Sequence, residues 1–323
     1  MKTAIIILNY NNYEDTINCI ESVEKFNTAP IKYIVVDNGS LRANAVFKLD
    51  EYLSGRFGSE YIMVEECKYK SNFLPYATLL ISPTNDGYAK GNNKGLNLAY
   101  EDEEIDKILI LNNDILFVED IIPGLIDALW RLPQCAIISP ILYKKDLREI
   151  DYTCARTNVK ISCVITENLL HYWYRLLGKR QSKIVENNYI LKRMNVQFPS
   201  IVPIELPSGS CMLIRKELFK EIDSFDPHTF LYYEENILYK KIQAKGLKNY
   251  LCTSLKCIHL GASTTSKSAT LFRIDCAIKS LRYYAKEYSG CSKFLYAMLC
   301  LSTIFYRFTF VLQKKFMRKP IVL

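Results

Sequence analysis

Short apolar runs alternate with segments of helical periodicity along the first two thirds of the chain. Residues 4–8 and 33–36 are continuous apolar runs rich in β-branched side chains, which is typical of strands covered on both faces. A helix with Asn12 as its N-cap is predicted between them. The same pattern continues downstream, with strands predicted at 78–82, 107–111, 211–214 and 250–258, and helices from 87 to about 100 and from 234 to 245.

This alternation predicts an α/β fold with a mostly parallel central sheet and helices on both faces. The polar clusters of the chain all follow predicted strand ends, and ligands bind at that edge in open α/β sheets. Residues 145–200 have only weak periodicity and are interpreted as an insertion or an irregular segment. We therefore expect one domain over residues 1–265, followed by a basic, apolar helical extension over residues 266–323.

The basic charge of the chain is concentrated at its C-terminus. Of 323 residues, 42 are Lys or Arg and 34 are Asp or Glu, which leaves a net charge of +8. The last 45 residues contain nine basic residues and one acidic residue, so they carry the whole excess. This distribution argues against a nucleic-acid-binding face spread over the domain. It suits contact between a basic tail and an anionic membrane surface.

Cysteine usage and the N-terminal segment both indicate a cytosolic location. The chain has eleven cysteines, with no C-x-x-C pair and no zinc-ligand spacing. We expect them to be reduced and mostly buried. The apolar run after Met1 has only five residues, which is too short for the core of a signal peptide.

Three polar clusters at strand ends could carry chemistry, and each also has a plain structural interpretation. Asp37 could bind a base or a ribose hydroxyl, or could form a turn before Gly39. The Asn- and Gly-rich segment 85–95 opens a helix whose backbone amides could hold a diphosphate, or it could simply pack closely on the sheet. Asp114, in an Asn-Asn-Asp sequence, could be a ligand of Mg²⁺ or Mn²⁺, or could form an Asx turn.

Two further positions are candidates for catalysis. Glu234 and Glu235 are adjacent carboxylates at a predicted helix start, where the helix dipole favours anions and where a carboxylate could act as a general base. His259 follows the last predicted strand. It could meet a metal or a phosphate, or it could be a structural histidine.

The order of these motifs resembles that of the family-2 inverting glycosyltransferases. A Gly-Ser-x-Met-Leu-Ile-Arg stretch at 209–215 is similar to the rhamnosyltransferase-like branch of bacterial polysaccharide biosynthesis, and the resemblance covers residues 1–263. It implies the Rossmann-like nucleotide-diphospho-sugar transferase fold of the GT-A type. The motifs that carry the resemblance are Asn9-Tyr10-Asn11, Val36-Asp37-Asn38-Gly39-Ser40, Asn85-x-Gly87-Tyr-Ala-x-Gly91-Asn-Asn93-x-Gly95, Asn112-Asn113-Asp114 and Tyr233-Glu234-Glu235.

The resemblance also implies roles for single residues. Glu235 matches the general base of the family, and Asp114 matches the last Asp of its D-x-D metal motif. His259 matches a histidine near the metal or the diphosphate. Tyr10 matches the position near the nucleobase, and Asp37 matches the acidic residue that binds the base or the ribose. The remaining residues assigned to nucleotide-sugar binding are Asn85, Gly87, Asn93, Asn112 and Glu234.

Three departures from the family pattern bear on these roles. Asn112 replaces the first Asp of D-x-D, which removes one anionic metal ligand. Glu235 stands where the family has Asp, and its reach is one methylene longer. Ile237 occupies a position that is often acidic. For these reasons Glu234 remains a rival for the role of base.

The activity implied is transfer of a hexosyl or deoxyhexosyl group, with inversion and with Mg²⁺ or Mn²⁺, from a nucleotide-diphosphate sugar. The acceptor would be a hydroxyl of a glycan or lipid-linked glycan in cell-surface polysaccharide synthesis, at the inner face of the cell membrane. The segment 145–200 would lie on the acceptor side. A nucleotidyltransferase and a non-catalytic sugar-nucleotide-binding subunit are the alternatives.

The C-terminal extension contains a long apolar stretch. Thirteen residues without charge, 294–306, precede Arg307, and residues 308–312 are apolar again. A spanning helix needs about 20 apolar residues, and an arginine inside it is costly. Docking on a membrane surface, packing on the domain and spanning of the bilayer therefore all remain open.

Overall fold

The computed structural model describes residues 1–42, 44–66, 72–176, 183–194, 198–261 and 270–316. Its centre is a large mixed sheet, and a small two-stranded sheet lies beside it. The strands are β1 Lys2–Asn9, β2 Ile31–Asn38, β3 Tyr61–Glu65, β4 Ala77–Ser82, β5 Ile105–Asn112, β6 Ile115–Phe117, β7 Cys135–Tyr143, β8 Ala155–Arg156, β9 Ile201–Ile204, β10 Leu206–Pro207, β11 Cys211–Arg215 and β12 Lys248–His259.

Helices cover both faces of the sheet and form the C-terminal extension. The short 3₁₀ helices Gly58–Glu60 and Tyr152–Cys154 complete the described elements. The α-helices are α1 Tyr13–Phe26, α2 Ala45–Phe57, α3 Gly87–Glu101, α4 Ile122–Arg131, α5 Ile161–Leu176, α6 Lys183–Glu186, α7 Ile190–Arg193, α8 Lys216–Glu221, α9 Glu234–Ala244, α10 Leu271–Glu287 and α11 Lys293–Phe316.

The sheet has the order β3-β4-β2-β1-β5-β11-β7-β12-β6, with β9 also paired to β12. Strands β3, β4, β2, β1 and β5 are all parallel. Strand β11 then runs antiparallel between β5 and β7. In β1, Ile5 and Ile7 enter one buried core while Ala4 and Ile6 enter the other. Apolar residues on both faces thus make β1 a central strand, and the predicted mostly parallel α/β fold is confirmed.

The elements predicted from periodicity occur with ends shifted by a few residues. Asn12 caps α1, since its side chain accepts a hydrogen bond from the backbone N–H of Asp15. Helix α9 begins at Glu234 as predicted. Strand β7 was not predicted, because Ser139 and Pro140 interrupt its apolar run. Pro140 pairs with Cys252 beside a register irregularity in β12, where a missing backbone donor is tolerated.

The segment 145–200 is more regular than expected. It contains β8 and the sixteen-residue helix α5, which packs against α11. The interpretation of this segment as irregular was therefore wrong for α5. Some side chains of this segment face a cleft, others face a helix about 130 residues away in sequence, and others face solvent. For this reason its apolar and polar residues show no simple period. Residues 177–182 and 195–197 of this segment lie outside the described part of the chain.

Close packing accounts for two glycines of the 85–95 segment. A Cβ at Gly91 would lie 2.6 Å from Leu8 Cδ1, and one at Gly95 would lie 2.8 Å from Ile6 Cγ2. Helix α3 therefore approaches β1 closely along its glycine face. This is the packing interpretation given above for the segment, and it places the N-terminus of α3 at the ends of β1, β2 and β4.

Candidate active site

A cleft of about 460 Å³ opens where the end of β5, the turn before β11, the start of α9 and the end of β12 meet. Segment 145–200 supplies part of the opposite wall, through β8 and the first residues of α5. Chemistry-bearing residues that line the cleft include Asn112, Arg156, Gly209, Glu234, Glu235 and His259. Four of the sequence-predicted site residues, from strands and a helix far apart in the chain, thus meet in one cavity.

Glu235 is held at one of its two carboxylate oxygens. Its Oε1 accepts a hydrogen bond from the backbone N–H of Gly209 at 3.1 Å, and Arg156 Nη2 lies 3.4 Å from the same oxygen. A Cβ at Gly209 would lie 3.0 Å from this Oε1, so a glycine allows the close approach. Anchoring of Oε1 orients the carboxylate within the cleft.

The approach to the carboxylate pair is conformationally strained. Tyr232 and Tyr233 have φ values of 74° and 70°, a left-handed conformation that costs free energy in residues with a side chain. Helix α9 begins directly after them. Ile237, one turn later, is 1% exposed and packs in a cluster with Ile161, Leu281 and others. An acidic side chain would be costly at that position, which explains the third departure from the family pattern.

Glu234 and Glu235 lie in different environments. Glu234 is 6% exposed, and its Oε1 has no hydrogen-bond partner among the described residues. Burial, together with the neighbouring charge of Glu235, raises the pKa of Glu234 to about 8. Glu234 is therefore mostly protonated at neutral pH, whereas a general base must be ionised to accept a proton. This difference favours Glu235 over Glu234 as the base.

The raised pKa of Glu234 predicts a pH dependence of stability. The unfolded chain loses this proton near the ordinary glutamate pKa of 4.5 and the folded chain loses it near 8, so the free energy of unfolding falls as pH rises between these values. Relative to Glu234→Gln, the wild-type protein should lose roughly 3 kcal/mol between about pH 5 and pH 7.5. Urea unfolding at several pH values measures the difference.

The matched control for this prediction is Glu103→Gln, at an exposed carboxylate. Its stability should follow that of the wild-type protein across the same pH range. If the free energy of unfolding changed with pH in the same way for wild type and Glu234→Gln, Glu234 would be ionised in the folded protein.

His259 lies between two carboxylates. Its Nδ1 is 2.7 Å from Asp151 Oδ2, and its Nε2 is 3.4 Å from Asp114 Oδ2. Burial alone would lower the pKa of His259, but hydrogen bonds with both carboxylates outweigh it and raise this pKa to about 10. The bond to Asp151 fixes the orientation of the ring and leaves Nε2 facing Asp114. The backbone N–H of Leu260 also donates to the carbonyl oxygen of Asp114, at 2.9 Å.

The residues of this pair fit a divalent cation. A carboxylate and an imidazole nitrogen converge, and the second ring nitrogen is bound to an outer carboxylate, as is usual for metal-ligating histidines. A bound cation would displace the Nε2 proton, because a metal-ligating imidazole is neutral. Among the described residues, no group of three or more His, Cys, Asp or Glu side chains is arranged to hold a metal. A bound ion would therefore take further ligands from a diphosphate or water.

Of the residues assigned to nucleotide-sugar binding, Asn112 and Glu234 line this cleft, whereas the other five do not. Most polar groups of those five have protein partners. Asp37 is 1% exposed and accepts hydrogen bonds from Asn9 Nδ2, Ser40 Oγ and the Ser40 backbone N–H. This is the turn interpretation given above. Tyr10 is half-buried at the end of β1. Nucleotide contacts by Tyr10 and Asp37 stay predictions.

The loop before α3 is fixed by similar contacts. Asn85 Oδ1 accepts hydrogen bonds from the Gly87 backbone N–H and from Asn38 Nδ2, both at 3.0 Å. The side-chain amide of Asn93 donates to the carbonyl oxygen of Phe225 at 2.8 Å and accepts from the backbone N–H of Phe225 at 3.2 Å. In the described structure Asn93 therefore shapes the loop. Nucleotide-sugar binding by Asn85, Gly87 and Asn93 stays a prediction.

Tyr88 connects this loop to the carboxylate pair. Its hydroxyl donates to the carbonyl oxygen of Gly209 at 2.6 Å, and the Gly209 N–H holds Glu235. The backbone N–H of Tyr88 donates to the carbonyl oxygen of Phe230, two residues before Tyr232. Gly87, with φ +81°, allows this contact, because a Cβ there would lie 2.2 Å from the Phe230 carbonyl oxygen. The loop before α3 and Glu235 are thus joined by direct contacts.

Sequence reasoning missed Arg156 and Asp151, which both lie in segment 145–200. Asp151 had a weak local signal, since its Oδ1 caps the following 3₁₀ turn through Thr153. Arg156 had none, because it was one of many basic residues in a segment without a clear period. Both reach the site only through tertiary contacts.

Known proteins share both the sequence pattern and the fold. A hexosyltransferase of low-salt glycan biosynthesis, Agl10 of Haloferax volcanii, is 22% identical over 79% of this chain and 66% of its own length. An N-acetylglucosaminyl-diphospho-decaprenol L-rhamnosyltransferase of Mycobacterium tuberculosis is 24% identical over 60% of this chain and 62% of its own length. The chain thus matches somewhat less than two thirds of the length of these relatives.

Two solved structures are similar over nearly the whole chain. GalNAc-T7, crystallised with UDP, GalNAc and Mn²⁺, matches 98% of this chain and 57% of its own, with a TM-score of 0.58 and 11% identity. The mannosyltransferase PcManGT of Pyrobaculum calidifontis, in complex with GDP-Man and Mn²⁺, matches 97% of this chain and 75% of its own, with a TM-score of 0.53 and 12% identity. The predicted GT-A fold is thereby confirmed.

The family model of glycosyl transferase family 2 matches residues 4–223. This range includes most of β1, all strands from β2 to β11, and the motifs at Asp37, Gly87 and Asp114. The matched range ends before Glu234 and Glu235. Their assignment to the site therefore depends on the motif order and on their place in the cleft. With about two thirds of its length matched, the chain belongs to glycosyl transferase family 2.

Proposed function

We propose that the protein transfers a sugar, with inversion, from a nucleotide-diphosphate sugar to a hydroxyl group of a glycan or lipid-linked glycan. The observation that carries the proposal is the Glu235 carboxylate, anchored through Oε1 in the same cleft as His259. His259 in turn contacts Asp114. This arrangement supports a role for Glu235 as the base for an acceptor hydroxyl and for Asp114 and His259 as a pair suited to a metal-bound diphosphate.

In this mechanism Glu235 removes the proton of the acceptor hydroxyl. The oxygen attacks the anomeric carbon of the donor, and the bond from that carbon to the diphosphate oxygen breaks on the opposite face. Glu235 keeps the proton, and the nucleoside diphosphate leaves. A Mg²⁺ or Mn²⁺ ion held by Asp114 and His259 would stabilise the charge that develops on the leaving diphosphate.

The other residues would position the donor and preserve the charge of the base. Tyr10 and Asp37 would lie beside the base and the ribose, while the loop of Asn85, Gly87 and Asn93, together with Asn112, would surround the diphosphate and the sugar. Because Glu234 is neutral at pH 7, it does not place a second negative charge beside the acceptor. Its buried carboxyl group would instead support the strained start of α9.

The names of the relatives support a hexosyl or deoxyhexosyl donor and a role in cell-surface glycan synthesis. One relative is a hexosyltransferase, and the other acts on a diphospho-decaprenol-linked sugar. Segment 145–200 would recognise the acceptor, since it supplies a wall of the cleft. We also propose that the enzyme works at the cytoplasmic face of the cell membrane.

The test is transfer of labelled sugar. A panel of labelled nucleotide sugars, with Mn²⁺ and lipid-linked or free glycan acceptors, should give a glycoside whose anomeric configuration is opposite to that of the donor. Nuclear magnetic resonance reads the configuration directly. Release of labelled sugar 1-phosphate, with transfer of the nucleotidyl group, would indicate a nucleotidyltransferase. Donor binding without turnover for any acceptor would indicate a non-catalytic subunit.

A further inference from the structure

Helix α11 has its polar side turned toward the protein. Ser302, Thr303 and Thr309 are at most 4% exposed. Ser302 Oγ accepts a hydrogen bond from Asn168 of α5 at 3.1 Å, and Thr303 Oγ1 accepts two from the guanidinium of Arg282 of α10. Polar residues of a surface helix normally face water, but in α11 these three lie inward, beside the buried Leu299 and Phe310.

The outward side of α11 is apolar. Phe294, Met298, Leu301, Phe305 and Phe308 follow one another at alternating steps of four and three residues, which places them on one stripe of the helix. Leu301 is 61% exposed and Phe308 59% exposed. Ile304 and Val311 extend the same side. The exposed fraction of these side chains ranges from 37% at Met298 to 75% at Phe294.

Helix α5 widens this stripe into a surface. The pairs Asn168–Ser302 and His171–Tyr306 show that α5 and α11 run parallel in a constant register. The same register places the exposed Trp173 level with Phe308. More than half of the exposed large hydrophobic side chains of the described residues lie on these two helices. We call this surface the α5–α11 face; it consists of Leu169, Leu170, Trp173, Phe294, Met298, Leu301, Ile304, Phe305, Phe308 and Val311.

The α5–α11 face is connected to the active-site cleft through α5. Ile161 and Val164, in the first turn of α5, line the cleft, and Leu169 to Trp173 follow on the same helix. A binding partner that covers the α5–α11 face would therefore lie within one helix length of the active-site cleft.

Charge distinguishes between the partners that could cover the face. Lys293 stands at one end of α11, and the sequence beyond its described side chains continues with Lys314, Lys315, Arg318 and Lys319. Aromatic and aliphatic side chains bordered by basic residues suit the interface of an anionic bilayer. A second copy of the chain would bring these like charges together.

The polar side of α11 also distinguishes docking from spanning. Residues Lys293–Gln313 are long and apolar enough to cross a membrane. Spanning would break the hydrogen bonds to Asn168 and Arg282 and expose Ser302 and Thr303 to hydrocarbon, which is costly. We propose that α11 packs on the domain through its polar side while the α5–α11 face lies on the surface of an anionic lipid bilayer. Delivery of a lipid-linked acceptor to the cleft is the one consequence that rests on the proposed function.

Vesicle flotation of the full chain tests the proposal. The wild-type protein should float with phosphatidylglycerol-containing vesicles and bind pure phosphatidylcholine at least about tenfold more weakly. The combined variant Leu301→Gln, Ile304→Gln and Phe308→Gln should reduce partitioning by roughly 100-fold. The matched control is Phe47→Gln, Met63→Gln and Trp130→Gln, whose parent side chains are similarly exposed on other elements. It should bind within about twofold of wild type.

Three results would overturn the proposal. They are equal flotation of the two triple variants, resistance of the wild-type chain to alkaline carbonate extraction, and a wild-type dimer that only the α11 variant converts to a monomer. Thermal melts of both variants establish that they are folded. Flotation does not depend on catalysis, so loss of transferase activity in all forms would reject the proposed function and leave this result standing.

Discussion

Replacing Glu235 with glutamine should lower kcat by about 1,000-fold, because general-base catalysis contributes roughly 10²–10⁴-fold. The amide keeps the size of the side chain and can still accept the Gly209 N–H through its oxygen, but it cannot take the proton of the acceptor. Donor affinity should change little, since the diphosphate end of the site is unaltered. Initial rates with saturating donor and acceptor measure the loss of kcat, and donor titration measures binding.

Two substitutions serve as controls for this result. Glu234→Gln should lower kcat by less than about tenfold, because its buried carboxyl group is already neutral at pH 7. Glu235→Asp should retain more activity than Glu235→Gln, since it keeps a carboxylate on a shorter side chain. A full loss with Glu234→Gln and near-normal turnover with Glu235→Gln would reverse the assignment of the base.

Replacing Asp114 with alanine should weaken metal-dependent binding of the donor by about 100-fold, because the protein supplies few ligands and loses its carboxylate. Calorimetric titration of the nucleotide sugar with and without Mn²⁺ gives both affinities. The metal-independent affinity should stay close to that of the wild-type protein. Turnover should fall as well, since the leaving diphosphate loses its stabilisation.

The isosteric Asp114→Asn and the outer variant Asp151→Asn refine this test. Asparagine at 114 keeps the local backbone contacts and removes only the charge, so its effect separates ligation from folding. Asp151 contacts His259 from the side away from Asp114, and its loss should weaken binding by about 10–100-fold. Undiminished metal-dependent donor binding by Asp114→Ala would remove Asp114 from the metal site.

Much of the fold could be predicted because its signals are local. The runs that form β1 and β2 are apolar without interruption, and this pattern occurs in strands buried on both faces. The cap at Asn12 and the start of α9 at Glu234 depend on neighbouring residues only. Strand β7 escaped prediction because Pro140 breaks its apolar run, and its place beside β12 depends on a partner more than 100 residues away.

The candidate site could also be predicted from the sequence only in part. The sequence indicated Asp114, Glu235 and His259 because each directly follows a strand or opens a helix, and such positions converge in an open α/β sheet. It could not choose between Glu234 and Glu235, since both stand in the first turn of one helix. Burial of Glu234 and the contact of Glu235 with Gly209 distinguish them, and both are properties of the folded chain.

The sequence by itself determined the α/β alternation, the order of the family motifs and the concentration of basic charge at the C-terminus. These features depend on composition and on neighbours along the chain. Only the tertiary structure decided that Arg156 meets Glu235, that Asp151 orients His259, and that α11 turns its polar side inward. Each of these contacts joins residues far apart in sequence, and their partners are selected by the packing of whole elements and not by any local pattern.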